Sequence, residues 1–312
     1  MSTSNTDVAS ILGKLTIVAA VAALVAGGAE YGLRRNFSNE DLLNVLKYRD
    51  VFVKIPDADV FIFGNSHTAY GIIPSLVEIP GHAVYNYSFS GANASFNDEL
   101  FRKYLRKYQN KPAIVICGVT WFMFDGKWPG RSISQDFAFL PWVDIFHFPP
   151  NFYERLHLAH QRDVLNKIFK NHKDNNILID RYDRGFVPLD GYYKDPDVVE
   201  KEKVNNSENE VAKFEEFVRF VKSNDVKMIF VETPEFTPGI RCESIAPNRA
   251  LLETIAKRNG VLYMNYNKEY RTDMNLDRTD YIDWHHLNYR GAIRFSKLLS
   301  RDIQDLMRKG KI

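Results

Sequence analysis

Three short stretches of this chain carry residue types that can do chemistry together. In Gly64-Asn65-Ser66-His67 a serine follows an apolar run, and a serine set just after a strand behind a glycine turn exposes its hydroxyl. Asp283-Trp284-His285-His286 stands near the other end. A hydroxyl is a poor nucleophile at neutral pH until a base takes its proton. An imidazole suits that task when an acceptor on its second nitrogen fixes the tautomer, and Asp283 can be that acceptor from the same turn as His286. The third stretch, Ser88-Phe89-Ser90-Gly91-Ala92-Asn93, offers a backbone N–H at Gly91 and a side-chain donor at Asn93 for a negatively charged oxygen. Together these give nucleophilic acyl transfer, with Ser66 attacking, His286 as base and Asp283 orienting it. Each stretch also has a structural reading: a serine helix cap, an aspartate cap beside a surface histidine, an ordinary strand-to-helix turn.

The elements that must position these residues are legible as apolar runs alternating with amphipathic segments. Strands are predicted over residues 60–63, 84–89, 113–117, 228–231 and 261–265, with helices over 96–108 (opened by Ser95), 209–222, 247–258 and 289–307. Such alternation builds a parallel sheet covered on both faces, a three-layer α/β/α domain, whose crevice lies beyond the carboxyl ends of the strands. Residues 121–206 break the rhythm and form an insertion after the third strand, with eleven aromatics between 121 and 153. Two readings of that cluster stand: a cap with its own small core, or an aromatic rim that stacks on sugars or docks on a membrane partner.

Composition narrows the function class. Hydrophobic residues at 45% and charged ones at 26% exclude a disordered chain, and a net charge of +2 excludes nucleic acid as partner. Cys117 and Cys242 can form one bridge at most, and Cys117 reads as a buried core thiol. Residues 11–29, ILGKLTIVAAVAALVAGGA, carry a single charge, Lys14, near one end. They read as a membrane anchor, or alternatively as a signal peptide cleaved after its small residues. The domain plan is a tail over 1–10, a transmembrane helix over 11–33, a juxtamembrane segment over 34–56 with a short helix at 38–47, and a catalytic domain over 57–312. Arg34, Arg35, Lys47, Arg49 and Lys54 follow the segment, and the positive-inside rule taken alone would keep the domain in the cytoplasm.

Taken together, the blocks resemble those of the SGNH, or GDSL-like, hydrolase family, over about residues 57–305. The family's nucleophile sits in a Gly-Asp-Ser block after the first strand, and its catalytic pair in a C-terminal Asp-x-x-His block. The resemblance implies Ser66 as nucleophile, His286 as base, Asp283 as its orienting residue, and Gly91 as an oxyanion donor with the Ser66 N–H. The chain departs from the pattern at Asn65, where the family has Asp, and at Gly118-Val119-Thr120-Trp121, where it has Gly-x-Asn-Asp. Thr120 or Asn93 would then supply the missing donor. No metal and no cofactor are implied. Three histidine ligands with an open position would be needed for a metal reading. Instead His67 is expected to pack at the start of the following helix and His285 to point away when His286 points in.

The N-terminal anchor and the ending His286-Leu287-Asn288-x-x-Gly291-Ala292 are similar to bacterial members tethered outside the cytoplasmic membrane. Those act in acyl transfer on cell-wall polymers and exopolysaccharides, often beside a membrane-bound O-acyltransferase. The expectation is a single-pass membrane protein with an extracytoplasmic domain, a serine O-acyltransferase or esterase on acyl, foremost acetyl, groups. Two other readings are a non-catalytic polysaccharide-binding or scaffolding subunit and a lipase-like esterase.

Overall fold

Side chains alternate along each strand, and this decides the layers. In β1 (Val60–Phe63), Phe61 and Phe63 enter one apolar core while Val60 and Ile62 enter another. A computed structural model of the chain describes residues 47, 50–51, 57–108, 111–127, 180–194, 199–236, 238, 240–267 and 274–312. The anchor over residues 11–33 and most of the 38–47 helix lie outside them, and among the described residues no helix is long and apolar enough to cross a membrane.

After β1 come α1 (Ser66–Gly71), β2 (Val84–Asn86), α2 (Ala94–Tyr108), β3 (Ile114–Gly118), β4 (Val199–Glu200), α3 (Glu208–Ser223), β5 (Lys227–Glu232), β6 (Ile240–Arg241), α4 (Ile245–Arg258), β7 (Leu262–Asn265) and α5 (Tyr289–Arg308). Five strands form one parallel sheet in the order β2-β1-β3-β5-β7. Helices α2, α3 and α4 cover the Phe61 face through Phe101, Phe217 and Ile255, and α5 covers the other through Phe295, Leu299 and Ile303. The three-layer parallel fold expected from the alternation is therefore present. Because β2 and β3 lie on opposite sides of β1, the chain reverses its direction of travel there. The carboxyl ends of β1 and β3 thus flank the switch point at which such sheets open a crevice.

Several boundaries differ from expectation for local reasons. β2 ends at Asn86 rather than at Phe89. The Asn86 carboxamide accepts from the Ser88 N–H (3.0 Å) and donates to the Thr68 and Ile72 carbonyls (2.9 and 3.0 Å), turning the chain and tying it to α1. α2 opens on Asn93, whose Oδ1 accepts from the Phe96 N–H at 3.0 Å, not on Ser95, whose hydroxyl is buried without a partner. The pair β4 and β6, a two-stranded parallel sheet, was not anticipated, since each strand has only two residues.

Of the eleven aromatics, Trp121, Phe122 and Phe124 belong to the two main cores, and the others lie outside the described residues. Cys117 and Cys242 are both free, and burial pushes the Cys117 thiol up to about 12.

One close contact joins the two strands that flank the crevice. The Thr68 side chain of α1 lies against the Cα atoms of Gly64 and Gly118, and a methyl at Gly118 would stand 1.8 Å from its Oγ1 and 2.8 Å from its Cβ. Gly118→Ala is accordingly expected to destabilise the fold by about 1–3 kcal/mol, the usual cost of overpacking. Denaturant midpoints should show part of that loss recovered in the double variant with Thr68→Ala, which removes Oγ1 and keeps Cβ. Additive losses would mean that the Thr68 contact is not its origin.

Candidate active site

The turn after β1 divides two jobs between neighbouring residues. Asn65 caps α1, its Oδ1 accepting from the His67 N–H at 3.1 Å. Ser66, at the first position of the helix, is therefore not needed as a cap, and its hydroxyl turns to the crevice. There Ser66 Oγ lies 2.9 Å from Nε2 of His286, although 220 positions separate the two residues.

His286 is held by a tight loop. The Ile282 N–H donates to the His286 carbonyl (2.9 Å), Tyr281 and Leu287 pair as an antiparallel bridge, and Asn288 caps α5 by accepting from the Gly291 N–H at 3.0 Å. The Asn288 amide also donates to the carbonyls of Gly191 (2.7 Å) and Thr279 (2.8 Å), fixing the base of the loop to the segment in which the insertion returns. Asp283 fills the loop: Oδ1 accepts from the backbone N–H groups of His285 (2.8 Å) and His286 (2.7 Å), and Oδ2 lies 2.8 Å from Nδ1 of His286. The geometry fixes the tautomer of a neutral His286. With the proton on Nδ1 toward the carboxylate, Nε2 presents its lone pair to Ser66. Tyr70 of α1 packs edge-on against the His286 ring, with centroids 5.3 Å apart.

Electrostatics favour a charged Asp283, and burial works against the charged forms of His285 and His67. Burial pushes the Asp283 carboxyl up, but hydrogen bonds from His285 and His286 and their charge outweigh it and hold it well below the usual carboxylate range. Burial lowers His285, with Asp283 opposing the shift, and lowers His67 well below the ordinary imidazole value, helped by the neighbouring His285 and His286.

Contrary to the sequence expectation, His285 does not point away when His286 points in. Its ring stacks on Trp284 (centroids 4.0 Å, 12° between planes) and lies 3.8 Å from the His286 centroid. Nδ1 of His285 is 3.1 Å from Nε2 of His67, and its Nε2 is 3.5 Å from Oδ2 of Asp283. At the start of α1, His67 is buried beside Phe122 (5.2 Å), with Glu235 Oε1 3.9 Å from its Nδ1. Glu235 in turn accepts from the Trp121 indole N–H (3.1 Å) and from Arg249 (3.0 Å), which also donates to Glu232 (2.8 Å).

The expected oxyanion donors are placed unevenly. The Ser66 N–H is among the helix-start donors left without an intrahelical partner. Gly91 holds a left-handed turn (φ +72°) that a side chain would strain. Of the other two candidates, Asn93 caps α2 and its amide faces Glu210 at 3.4 Å. Thr120 is buried beside the nucleophile turn with its Oγ1 accepting from the Asn65 amide at 3.3 Å, a contact that does not use its own proton.

Glu235 and Arg249 were missed by sequence reasoning. The signal was available for the first: Thr233-Pro234-Glu235 directly follows β5, at the same sheet edge where Ser66 follows β1. Nothing in the sequence marks Arg249 among the other basic residues of an amphipathic helix.

No protein-family model and no curated protein matches the chain. Among solved structures it is similar to a family 3 carbohydrate esterase of Clostridium thermocellum (12% identity, 81% of this chain and 98% of that one, TM-score 0.39). A GDSL-like lipase of Bacteroides thetaiotaomicron gives 13% identity over 79% and 87% of the two chains, TM-score 0.39. The psychrotrophic esterase EstA of a Pseudoalteromonas species gives 10% over 80% and 97%, TM-score 0.37. At that distance no role passes from those proteins to this one, and the chemistry of the crevice follows from its own hydroxyl, imidazole and carboxylate.

Proposed function

We propose that the chain is a serine-dependent esterase or O-acyltransferase of SGNH type, working through an acyl intermediate on Ser66. The observation that carries this is the aligned series Ser66 Oγ, His286 Nε2, His286 Nδ1 and Asp283 Oδ2, with steps of 2.9 and 2.8 Å. In acylation His286 takes the Ser66 proton as Oγ bonds to the acyl carbonyl carbon. The carbonyl oxygen becomes an oxyanion facing the N–H groups of Ser66 and Gly91. His286 then passes its proton to the leaving oxygen as that C–O bond breaks. In the second half the acceptor hydroxyl, from water or a sugar, gives His286 its proton and attacks the acyl carbon, and His286 returns the proton to Ser66 Oγ as the Oγ–acyl bond breaks. Asp283 keeps one tautomer throughout and stabilises the imidazolium, without taking a proton itself.

The substrate in this reading is an acetylated extracytoplasmic polysaccharide or cell-wall polymer. The domain is tethered by residues 11–33 and works beside a membrane-bound O-acyltransferase. The support for this finer part is the likeness of Gly64-Asn65-Ser66-His67, Asp283-x-x-His286 and the apolar N-terminal segment to tethered acyl-transfer proteins. The test is intact-mass analysis after a fluorophosphonate probe, run beside release from a chromogenic acetyl ester. One adduct mapped to Ser66 together with ester turnover is expected. Binding of acetylated polysaccharide with neither labelling nor turnover would replace the enzyme reading by a non-catalytic one.

A further inference from the structure

Three imidazoles meet at this crevice, and the reaction uses one. One ring nitrogen from each of His67, His285 and His286 lies within 4.8 Å of the other two. Nε2 of His67 and Nδ1 of His285 are already 3.1 Å apart, close to the separation of about 3.3 Å that two nitrogens take at 2.0–2.1 Å from a tetrahedral zinc ion. A metal ligand needs a lone pair toward the ion and, on its other nitrogen, a proton directed to an acceptor. Each ring has a carboxylate on that side. Behind His286 stands Asp283 Oδ2 at 2.8 Å from Nδ1, and behind His285 the same oxygen at 3.5 Å from Nε2.

His67 makes the strongest point. Its Nδ1 is buried with no hydrogen-bond partner, 3.9 Å from Glu235 Oε1. In the metal-free state the proton of His67 is shared through Nε2 with His285, which leaves Nδ1 idle. An ion taking the place of that shared proton would move the hydrogen to Nδ1, toward the carboxylate that Arg249 and Trp121 hold in position.

From this arrangement we infer that His67, His285 and His286 form a site for a borderline divalent cation such as Zn²⁺, and that its occupation inhibits the enzyme. The ion claims the same His286 lone pair that must take the Ser66 proton, so metal binding and serine activation exclude each other. Imidazole ligands select Zn²⁺, Co²⁺ and Cu²⁺ over Mg²⁺ and Ca²⁺, which prefer oxygen.

The site itself stands on the imidazole geometry alone, whereas the inhibition rests on the esterase reading above. The two are separated by titrating tag-free full-length protein with Co²⁺, whose visible spectrum reports tetrahedral nitrogen ligation without any turnover, and with Zn²⁺ while following fluorophosphonate labelling. One equivalent of Co²⁺ displaced by Zn²⁺, no response to Mg²⁺, and labelling slowed by Zn²⁺ and restored by EDTA are expected. His285→Ala should weaken binding by more than about tenfold, the lower end of what the loss of an outer-shell partner costs. His67→Gln serves the same purpose if that variant is poorly folded.

Failure of the wild-type protein to bind Co²⁺ or Zn²⁺ at micromolar concentration overturns the site, as does undiminished binding by a folded ligand variant. Binding that leaves labelling unchanged overturns the inhibition. A protein that binds Co²⁺ but is never labelled refutes the esterase reading and keeps the site.

Discussion

Ser66→Ala is expected to lower acetyl-ester turnover by on the order of 10⁴- to 10⁶-fold while leaving the fold intact. The loss is large because, among the described residues, Ser66 alone places a hydroxyl on Nε2 of His286, and without Oγ the acyl group has nowhere to be held between the two half-reactions. Residual turnover would come from oxyanion donors and from water activated by His286. Stability should change by less than about 0.5 kcal/mol, because the helix-capping role belongs to Asn65. The neighbouring change Asn65→Ala should do the reverse, costing about 1 kcal/mol as a lost cap. Steady-state kinetics beside thermal unfolding of both variants separates the roles. Turnover within tenfold of wild type in Ser66→Ala would remove the covalent mechanism.

Arg249→Met should produce the largest change in stability, a loss of about 3–5 kcal/mol. Arg249 is 3% exposed and donates to Glu232 at 2.8 Å and Glu235 at 3.0 Å, both with side chains 1% exposed. Removing the guanidinium leaves two carboxylates out of water without their shared cation, and that uncompensated charge, more than the lost attraction, sets the cost. The sign of the pH dependence follows. Without Arg249 the two carboxyl groups bind protons more tightly folded than unfolded, so the deficit relative to wild type shrinks as pH falls. Urea denaturation at two pH values checks both statements. Replacing the trio together by Met, Gln and Gln should recover much of the loss, since no charge is then stranded. A deficit under about 1 kcal/mol in the single variant would show that solvent reaches the carboxylates.

The parts of this architecture that were legible in the sequence follow from periodicities. Apolar runs of four or five residues marked β1, β3 and β5, and the 3.6-residue stripe of Phe214, Phe217, Val218 and Val221 marked α3. The approach of Ser66 to a histidine of the C-terminal stretch was expected from residue type and from the rule that chemistry gathers beyond strand ends, and the choice of His286 over His285 from the Asp-x-x-His resemblance. Features set by a single side chain against distant backbone were not legible. Asn86 cuts β2 short by bonding to α1, and Asn93 takes the cap assigned to Ser95, because each choice depends on partners that only the fold brings near. The orientation of His285 was not legible either, since neighbouring side chains face opposite ways only along an extended chain. The loop around Asp283 instead turns both rings to one side, where His67 from α1 completes the cluster.

The cap that Asn288 places on the final helix, α5, locks the loop carrying His286. Ser66 and His286 stand 220 positions apart, so during synthesis the hydroxyl emerges long before the imidazole that faces it. The proposed acyl chemistry therefore waits until the whole span between them has been made and folded.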